Sequence, residues 1–257
     1  MKQMFLSTGK EFKEIETFEP GAWIHLVNPS QEEALKVAER FNIDIQDLRA
    51  PLDVEETSRI DVEDDYTLIL VDIPTQEERN NKSYYVTIPL GIIVTDEVVV
   101  TTCLENISLM DDFLNHRVRN FYTFMKTRFV FQILYRNAQL YLTALRSIDR
   151  QNDKLEAQLE NSTKNEHLID MMELEKSIVY LKASLKMNER IVKKLTGNAS
   201  SLKKYIEDED LLEDTLVETQ QAIEMAGIYE NVLNAMTETS ASIINNNQNT
   251  IMKHSLS

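Results

Sequence analysis

The chain has 257 residues, 42% of them hydrophobic and 27% charged, which places it among globular proteins and leaves room for two domains of ordinary size. Asp and Glu number 43 against 27 Lys and Arg; the resulting net charge of −16 argues against a phosphate-binding surface or a nucleic-acid partner and favours a cation as ligand. Cys103 is the only cysteine, which excludes a disulfide framework and a cysteine-rich zinc site; no signal peptide is visible, and no stretch reaches the roughly 18 apolar residues of a spanning helix, so the chain as given reads as soluble.

Two halves follow different rules. All five prolines (Pro20, Pro29, Pro51, Pro74 and Pro89) lie in the first 89 residues, and past residue 120 the only glycines are Gly197 and Gly227. Residues 1–120 carry 11 basic and 24 acidic side chains, whereas residues 121–257 carry 16 and 19. These shifts predict a boundary near residue 120: an α/β domain over 1–120, then a long-helix region over 121–257.

In chain order, Gly21 to Val27 reads as a strand, punctuated by Asn28-Pro29-Ser30. Ser30 with Glu33 forms a capping-box pattern for a helix running to about Phe41, with an apolar face of Ala34, Leu35, Val37 and Ala38. A short second helix holds Ile45, Gln46, Asp47 and Leu48. Tyr66 to Ile73 is a β-branched, aromatic strand, and Tyr84 to Val94 with Val98 to Thr102 reads as a hairpin around Thr95-Asp96-Glu97. This predicts an α/β layered domain with a mixed sheet. The second half reads as three helices. One spans about Asp111 to Leu159 and ends at a polar turn over 161–165; the next runs from Glu166 to Leu195 and stops at Gly197-Asn198. The last is capped by Ser200 or Ser201 and continues unbroken to the end of the chain, roughly 80 Å at about 1.5 Å per residue. Its Met225, Tyr229, Val232, Met236 and Ile243 follow a heptad pattern that predicts packing against copies of itself.

Few groups carry chemistry. Six carboxylates occupy the eight positions 207–214, and Asp210, Asp214 and Glu218 share one helical face. The plain reading is a solvated acidic helix start; the sharper one is a hard divalent cation, Mg2+ or Ca2+, relieving the repulsion, with no EF-hand loop to make a Ca2+ cage. His25, His116, His167 and His254 lack metal-ligand spacing, and Cys103 is expected to be a buried apolar residue. No nucleophile elbow, phosphate loop or dinucleotide fingerprint is present, so nothing points to an enzyme. The five amides Asn245 to Asn249 are costly in a helix; terminal fraying or a ring of amides around an axis would each accommodate them.

In order and spacing, several segments resemble the cytoplasmic domain of the CorA family of divalent-cation (Mg2+) channels and transporters. They are Trp23-Ile-His-Leu26, Pro29-Ser-Gln-Glu-Glu33, Ala38 to Leu48, Arg59 with the acidic Asp61 to Asp65, Tyr66 to Ile73, Ile148-Asp149 with Leu155-Glu156, and Asn249-Thr-Ile-Met-Lys253. The resemblance implies an α+β fold: an α/β/α sandwich, two long antiparallel helices and a very long C-terminal stalk helix over 200–257. It implies a homopentamer around the stalk, on the cytoplasmic side of the plasma (inner) membrane. Two transmembrane helices joined by a Gly-Met-Asn loop would follow beyond residue 257, so this chain is expected to be a soluble piece of a membrane protein.

The resemblance implies Mg2+ as both regulatory and transported ion, with Co2+ as an alternative, and places the regulatory cation between subunits. Carried over by motif, its ligands are Asp47 after the first helix and Asp214 on the neighbour's stalk, with Asp44 and Asp210 as outer partners. Asn249 and Met252 fall at the pore mouth. A further family carboxylate falls at Tyr135, which is not an acid. On this reading the cation holds a closed ring, and its loss lets negative charge push the subunits towards an open state. Two alternatives stand beside it: the family's zinc-transporting branch, and a soluble scaffold dimerised through the heptad helix.

Overall fold

The computed structural model describes residues 1–161, 165–197, 202 and 206–256. The centre of the predicted turn at 162–164, Asn198 and the proposed caps Ser200 and Ser201 lie outside that set.

Seven strands form one mixed sheet: β1 (Lys2–Thr8), β2 (Glu11–Ile15), β3 (Trp23–Val27), β4 (Arg59–Val62), β5 (Tyr66–Arg79), β6 (Lys82–Thr95) and β7 (Val99–Cys103), in the order β2-β1-β3-β7-β6-β5-β4. Only β3 and β7 run parallel. Side chains alternate between two cores, as the two-residue strand period requires. Ile24, Leu26, Leu68, Ile93 and Val100 face one layer, where helix α1 (Gln31–Arg40) adds Ala34, Val37 and Ala38 and helix α2 (Ile45–Arg49) adds Leu48. Trp23, Ile69, Val71, Ile73, Ile92 and Val99 face the other, where helices α3 (Ser108–Leu114), α4 (Lys126–Asn161) and α5 (Asn165–Thr196) supply Phe113, Phe129, Phe131 and Ile191. The capping box is present: the Ser30 hydroxyl accepts from Glu33 N, and the Glu33 carboxylate accepts from Ser30 N.

The expected hairpin is β6–β7, and β5 and β6, which run past Ile73 and start before Tyr84, form a further one. β5 and β6 each span 14 residues and are joined by Asn80 and Asn81, both at positive φ (53° and 62°), the geometry of a two-residue turn that matches strand twist. Pro74 and Pro89 lie inside these strands. β4 pairs with β5 only as far as Leu70, and β7 with β6 only from Leu90, so each proline stands where its missing N–H faces an unpaired edge. Strands β1, β2 and β4 carry little apolar alternation, so their local sequence does not mark them as strands.

The first long helix begins at Lys126 rather than near Asp111. Residues 108–114 form the separate α3, and His116 and Asn120, each at φ 57°, turn the chain between them without glycine or proline. Helix α6 (Ile206–Ser255) is a single element of 50 residues, continuous through Gly227.

Gly91 is needed for space. A Cβ there would lie 2.8 Å from Cγ of Pro51, in the 3-10 turn Ala50–Leu52 that closes this face of the sheet. The proline ring is held by backbone on both sides, so Gly91→Ala should destabilise the chain by about 1–3 kcal/mol. Urea unfolding would show this as a lower midpoint at unchanged slope.

Candidate cation-binding and stalk residues

Asp47 stands on the one-turn helix α2 and is only partly exposed. The hydroxyl of Tyr66, first residue of β5, donates to Asp47 Oδ2 and accepts from Asp44 N at 3.3 Å. Burial, and then the bond to Asp47, push the Tyr66 phenol far above its usual value, so it remains a donor. Tyr66 therefore fixes the carboxylate's direction while leaving its other oxygen open. Local sequence marks Tyr66 only as a strand residue, because a contact across 19 positions leaves no local periodicity. Asp44 caps α2 through Gln46 N at 2.8 Å, which occupies one of its oxygens locally. Nearby, Arg59 is bonded by Glu56 and Asp61, and Asn42 binds Asp65, so part of the acidic segment is already neutralised.

The acidic run at the start of α6 divides by helical face. Asp208 is buried, 3% exposed, and accepts from Nε of Arg128 at 3.2 Å. Asp210 and Asp214 are exposed, and Asp214 makes no ion pair among the described residues. Leu212, Thr215 and Thr219 continue the buried face, and both threonine hydroxyls close back on the carbonyls four residues earlier at 2.8 Å. The sequence shows the run but not its partition, which depends on Arg128 eighty positions away.

In the described structure α2 packs on α1 and the 3-10 turn, and α6 packs on α4 and α5. Among the described residues no three His, Cys, Asp or Glu side chains stand together in a way that could hold a metal ion. The oxygen-only donors Asp47, Asp210 and Asp214 suit a hard cation that keeps its own waters, provided that the remaining ligands come from outside one chain. Asn249 and Met252 are both exposed on the last turns of α6, Met252 at 61%. No described helix is long and apolar enough to cross a membrane.

The heptad residues do not form one seam. Met225 and Tyr229 pack against the α4–α5 core, and Met236 Sδ takes a contact of 3.0 Å from Asn152 Nδ2. The large apolar residues left exposed on α6 are Val217, Ile228, Val232, Ile243, Ile251 and Met252. The 11-residue steps from Val217 to Ile228 and from Val232 to Ile243, near 3.67 residues per turn, are the spacing of a right-handed rather than a left-handed supercoil.

Cys103 is buried and free, and burial raises its thiol to about 12, so it packs as an apolar group. His25 is buried beside Trp23. Thr101 Oγ1 accepts from Trp23 Nε1 at 2.7 Å and lies 2.8 Å from His25 Nδ1, so the hydroxyl proton is left to donate to the neutral ring.

Comparison with known proteins gives a consistent picture. The family model described as CorA-like Mg2+ transporter protein matches residues 19–254. The cobalt/magnesium transport protein CorA of Methanocaldococcus jannaschii is 27% identical over 245 residues, covering 90% of this chain and 72% of that protein. The solved soluble domain of CorA from the same organism superposes with TM-score 0.83 at 22% identity, covering 94% of this chain and 97% of the other. The ZntB cytoplasmic domain from Vibrio parahaemolyticus has the same fold, with TM-score 0.71 at 10% identity and coverage of 96% and 98%.

His25 gives a pH signature. Burial, with a smaller contribution from the Met1 ammonium, lowers it from 6.5 to about 4. Between those values the unfolded chain binds a proton that the folded chain refuses, so stability rises with pH. About 3 kcal/mol should be lost as pH falls from 6.5 to 4. Denaturant titrations across that range should show this slope in the wild type and its loss in His25→Gln.

Proposed function

The chain belongs to the CorA-like Mg2+ transporter family, and from that premise we propose that it is the cytoplasmic, Mg2+-sensing part of a Mg2+ or Co2+ transporter. The observation that carries this is α6: one 50-residue helix whose first turns expose Asp210 and Asp214 and whose last turns, with Asn249 and Met252, extend past any core of the same chain. A helix of about 75 Å serves no compact domain; it suits a stalk linking a sensing body to a membrane pore. Under this proposal residues 1–120 are the sensing body and residues 121–257 the transmitting helices. Five copies would surround the stalk, in contact along the exposed Val217, Ile228, Val232 and Ile243.

Asp47 of one copy would share a hydrated cation with Asp214 of the next, with Asp44 and Asp210 in its outer sphere. Tyr66 has already oriented Asp47, so little side-chain entropy remains to be lost on binding. Without the ion, two carboxylates about 4 Å apart at an effective dielectric near 20 would repel by on the order of 4 kcal/mol, less solvent screening. The bound ion would thus favour the closed ring. Oxygen donors, with His25 and Cys103 both buried away from Asp47, favour Mg2+ over Zn2+.

The test is Asp47→Asn with Asp214→Asn in the transporter that includes this chain. Protection from proteolysis by Mg2+ should need at least about tenfold more ion, since about 1.4 kcal/mol lost per site suffices for that. Ion selectivity, set by the membrane part, should be unchanged. Wild-type Mg2+ dependence in the double variant would remove the sensor assignment.

A further inference from the structure

The hydroxyl that orients Asp47 also limits how that carboxylate can hold an ion. We propose that Tyr66 makes the sensing site discriminate against Ca2+: by occupying one oxygen of Asp47 it leaves the carboxylate a single ligand atom, which serves Mg2+ and handicaps a cation that needs more. This inference rests on the sensor reading above and adds the residue that sets its selectivity.

The arrangement is rigid. Tyr66 is 7% exposed, and its ring lies in the core with Ile43, Leu48 and Leu68. Its backbone is held by the bond from Glu63 N at 2.9 Å and by pairing with Thr95 of β6. The ring therefore cannot swing the hydroxyl away from α2. The direction of the proton is fixed as well. The hydroxyl oxygen accepts from Asp44 N at 3.3 Å, so its one O–H is directed at Asp47 Oδ2. Such a bond to a carboxylate is charge-assisted and roughly twice as strong as a neutral one. An ion that chelates both oxygens of Asp47 must compete with it, whereas an ion that takes Oδ1 alone need not. Asp47 Oδ1 has no partner among the described residues and keeps surface open to solvent.

Asp44 is restricted in the same way. Its Oδ1 accepts from Gln46 N at 2.8 Å, the bond that caps α2, so one oxygen is left over there too. The α2 side of the site thus offers single oxygens, one from each acid. Mg2+ takes about six ligands in a near-ideal octahedron, keeps several of its waters and binds proteins through one or two carboxylates. Ca2+ gathers about six to eight oxygens and readily uses carboxylates in bidentate fashion. Single, pre-aimed oxygens suit the first ion and leave the second short of ligands. Asp214 is exposed and makes no ion pair among the described residues, so the discrimination lies on the α2 side.

The test compares Mg2+ and Ca2+ in the transporter that includes this chain, reading for each ion the half-maximal concentration that protects it from proteolysis. Tyr66→Phe keeps the ring in the core, leaves the charge unchanged and removes only the hydroxyl. It should shift the preference towards Ca2+ by about tenfold, the factor that corresponds to about 1.4 kcal/mol. Asp47→Glu leaves the core untouched and carries the carboxylate one methylene past the hydroxyl. It should shift the preference in the same direction, and it decides the matter if the phenylalanine variant does not fold. A merely structural tyrosine would act on both ions alike. A folded Tyr66→Phe protein that keeps the wild-type preference, or that weakens both ions by one factor, would therefore overturn the proposal. The two readings fail differently. If the sensor assignment is wrong, Asp47→Asn with Asp214→Asn keeps wild-type Mg2+ dependence, and both readings fall. If only this inference is wrong, that double variant is impaired while the ion preference stays put in Tyr66→Phe and Asp47→Glu.

Discussion

The peptide group of Asp72 is the joint on which the helices hang. β4 leaves the side of β5 after Leu70, so the N–H and C=O of Asp72 open towards the helical layer. Side chains close them. The carbonyl accepts from Asn137 Nδ2 at 3.0 Å, Tyr141 Oη at 2.9 Å and Asn188 Nδ2 at 3.1 Å, while the N–H donates to Asn188 Oδ1 at 3.3 Å. An exposed strand edge is thereby capped by α4 and α5 rather than left to recruit another strand. Pro89 stands opposite Asp72 and costs nothing there, because the hydrogen-bonding groups of that pair point outwards. The Asp72 carboxyl, raised by burial and moderated by Ser184 and Ser58, belongs to the same joint. Shape alone would let the long helices slide along an apolar sheet; these directional bonds set their position.

Everything beyond the sheet inherits that position. The α4–α5 pair carries Tyr141, Leu145, Ile148, Leu174, Ile178 and Leu181, and α6 lays Ala222, Ala226 and Leu233 against them. Small residues allow close approach on this side of α6, so the larger Val217, Ile228, Val232 and Ile243 are turned away from the chain's own core. Lys82 adds a second tie, from the hairpin end to Asp170 of α5 at 2.7 Å. A displacement between sheet and stalk must therefore break a polar joint or move α4, α5 and α6 together. Rigid-body motion of that kind is what a regulatory domain would transmit.

Local signals were legible in the sequence wherever the physics is local. Ser30 and Glu33 announce a helix start within four residues, and Tyr66 to Ile73 declares a buried strand by composition. The continuity of α6 follows from the absence of proline. What depended on distant partners was not legible. The extension of β5 past Pro74 needs an unpaired edge that only the sheet order reveals. The break before Lys126 rests on His116 and Asn120 taking left-handed backbone, a tendency of those residue types but no rule. The heptad reading of α6 failed in part because apolar residues on two faces, one turned to α4–α5 and one to solvent, were counted as one seam. For the proposed site, motif likeness pointed to Asp47 and Asp214, but to neither the Tyr66 hydroxyl that aims one nor the Arg128 that pairs with the neighbouring Asp208.

The charge distribution also limits which carboxylates can report on a cation. Each chain carries −16, yet at physiological ionic strength the screening length is about 8 Å, so most of that charge is invisible across a subunit boundary. Arg59, Asn42 and Lys82 neutralise or bind several acids within their own chain, and Arg128 does the same for Asp208. What remains able to sense an ion in the proposed ring is the small set that lies on the boundary without a local counter-charge, Asp47 and Asp214 foremost. The excess of acid elsewhere would then set solubility and slow non-specific association, and local pairing would separate the sensing carboxylates from that background.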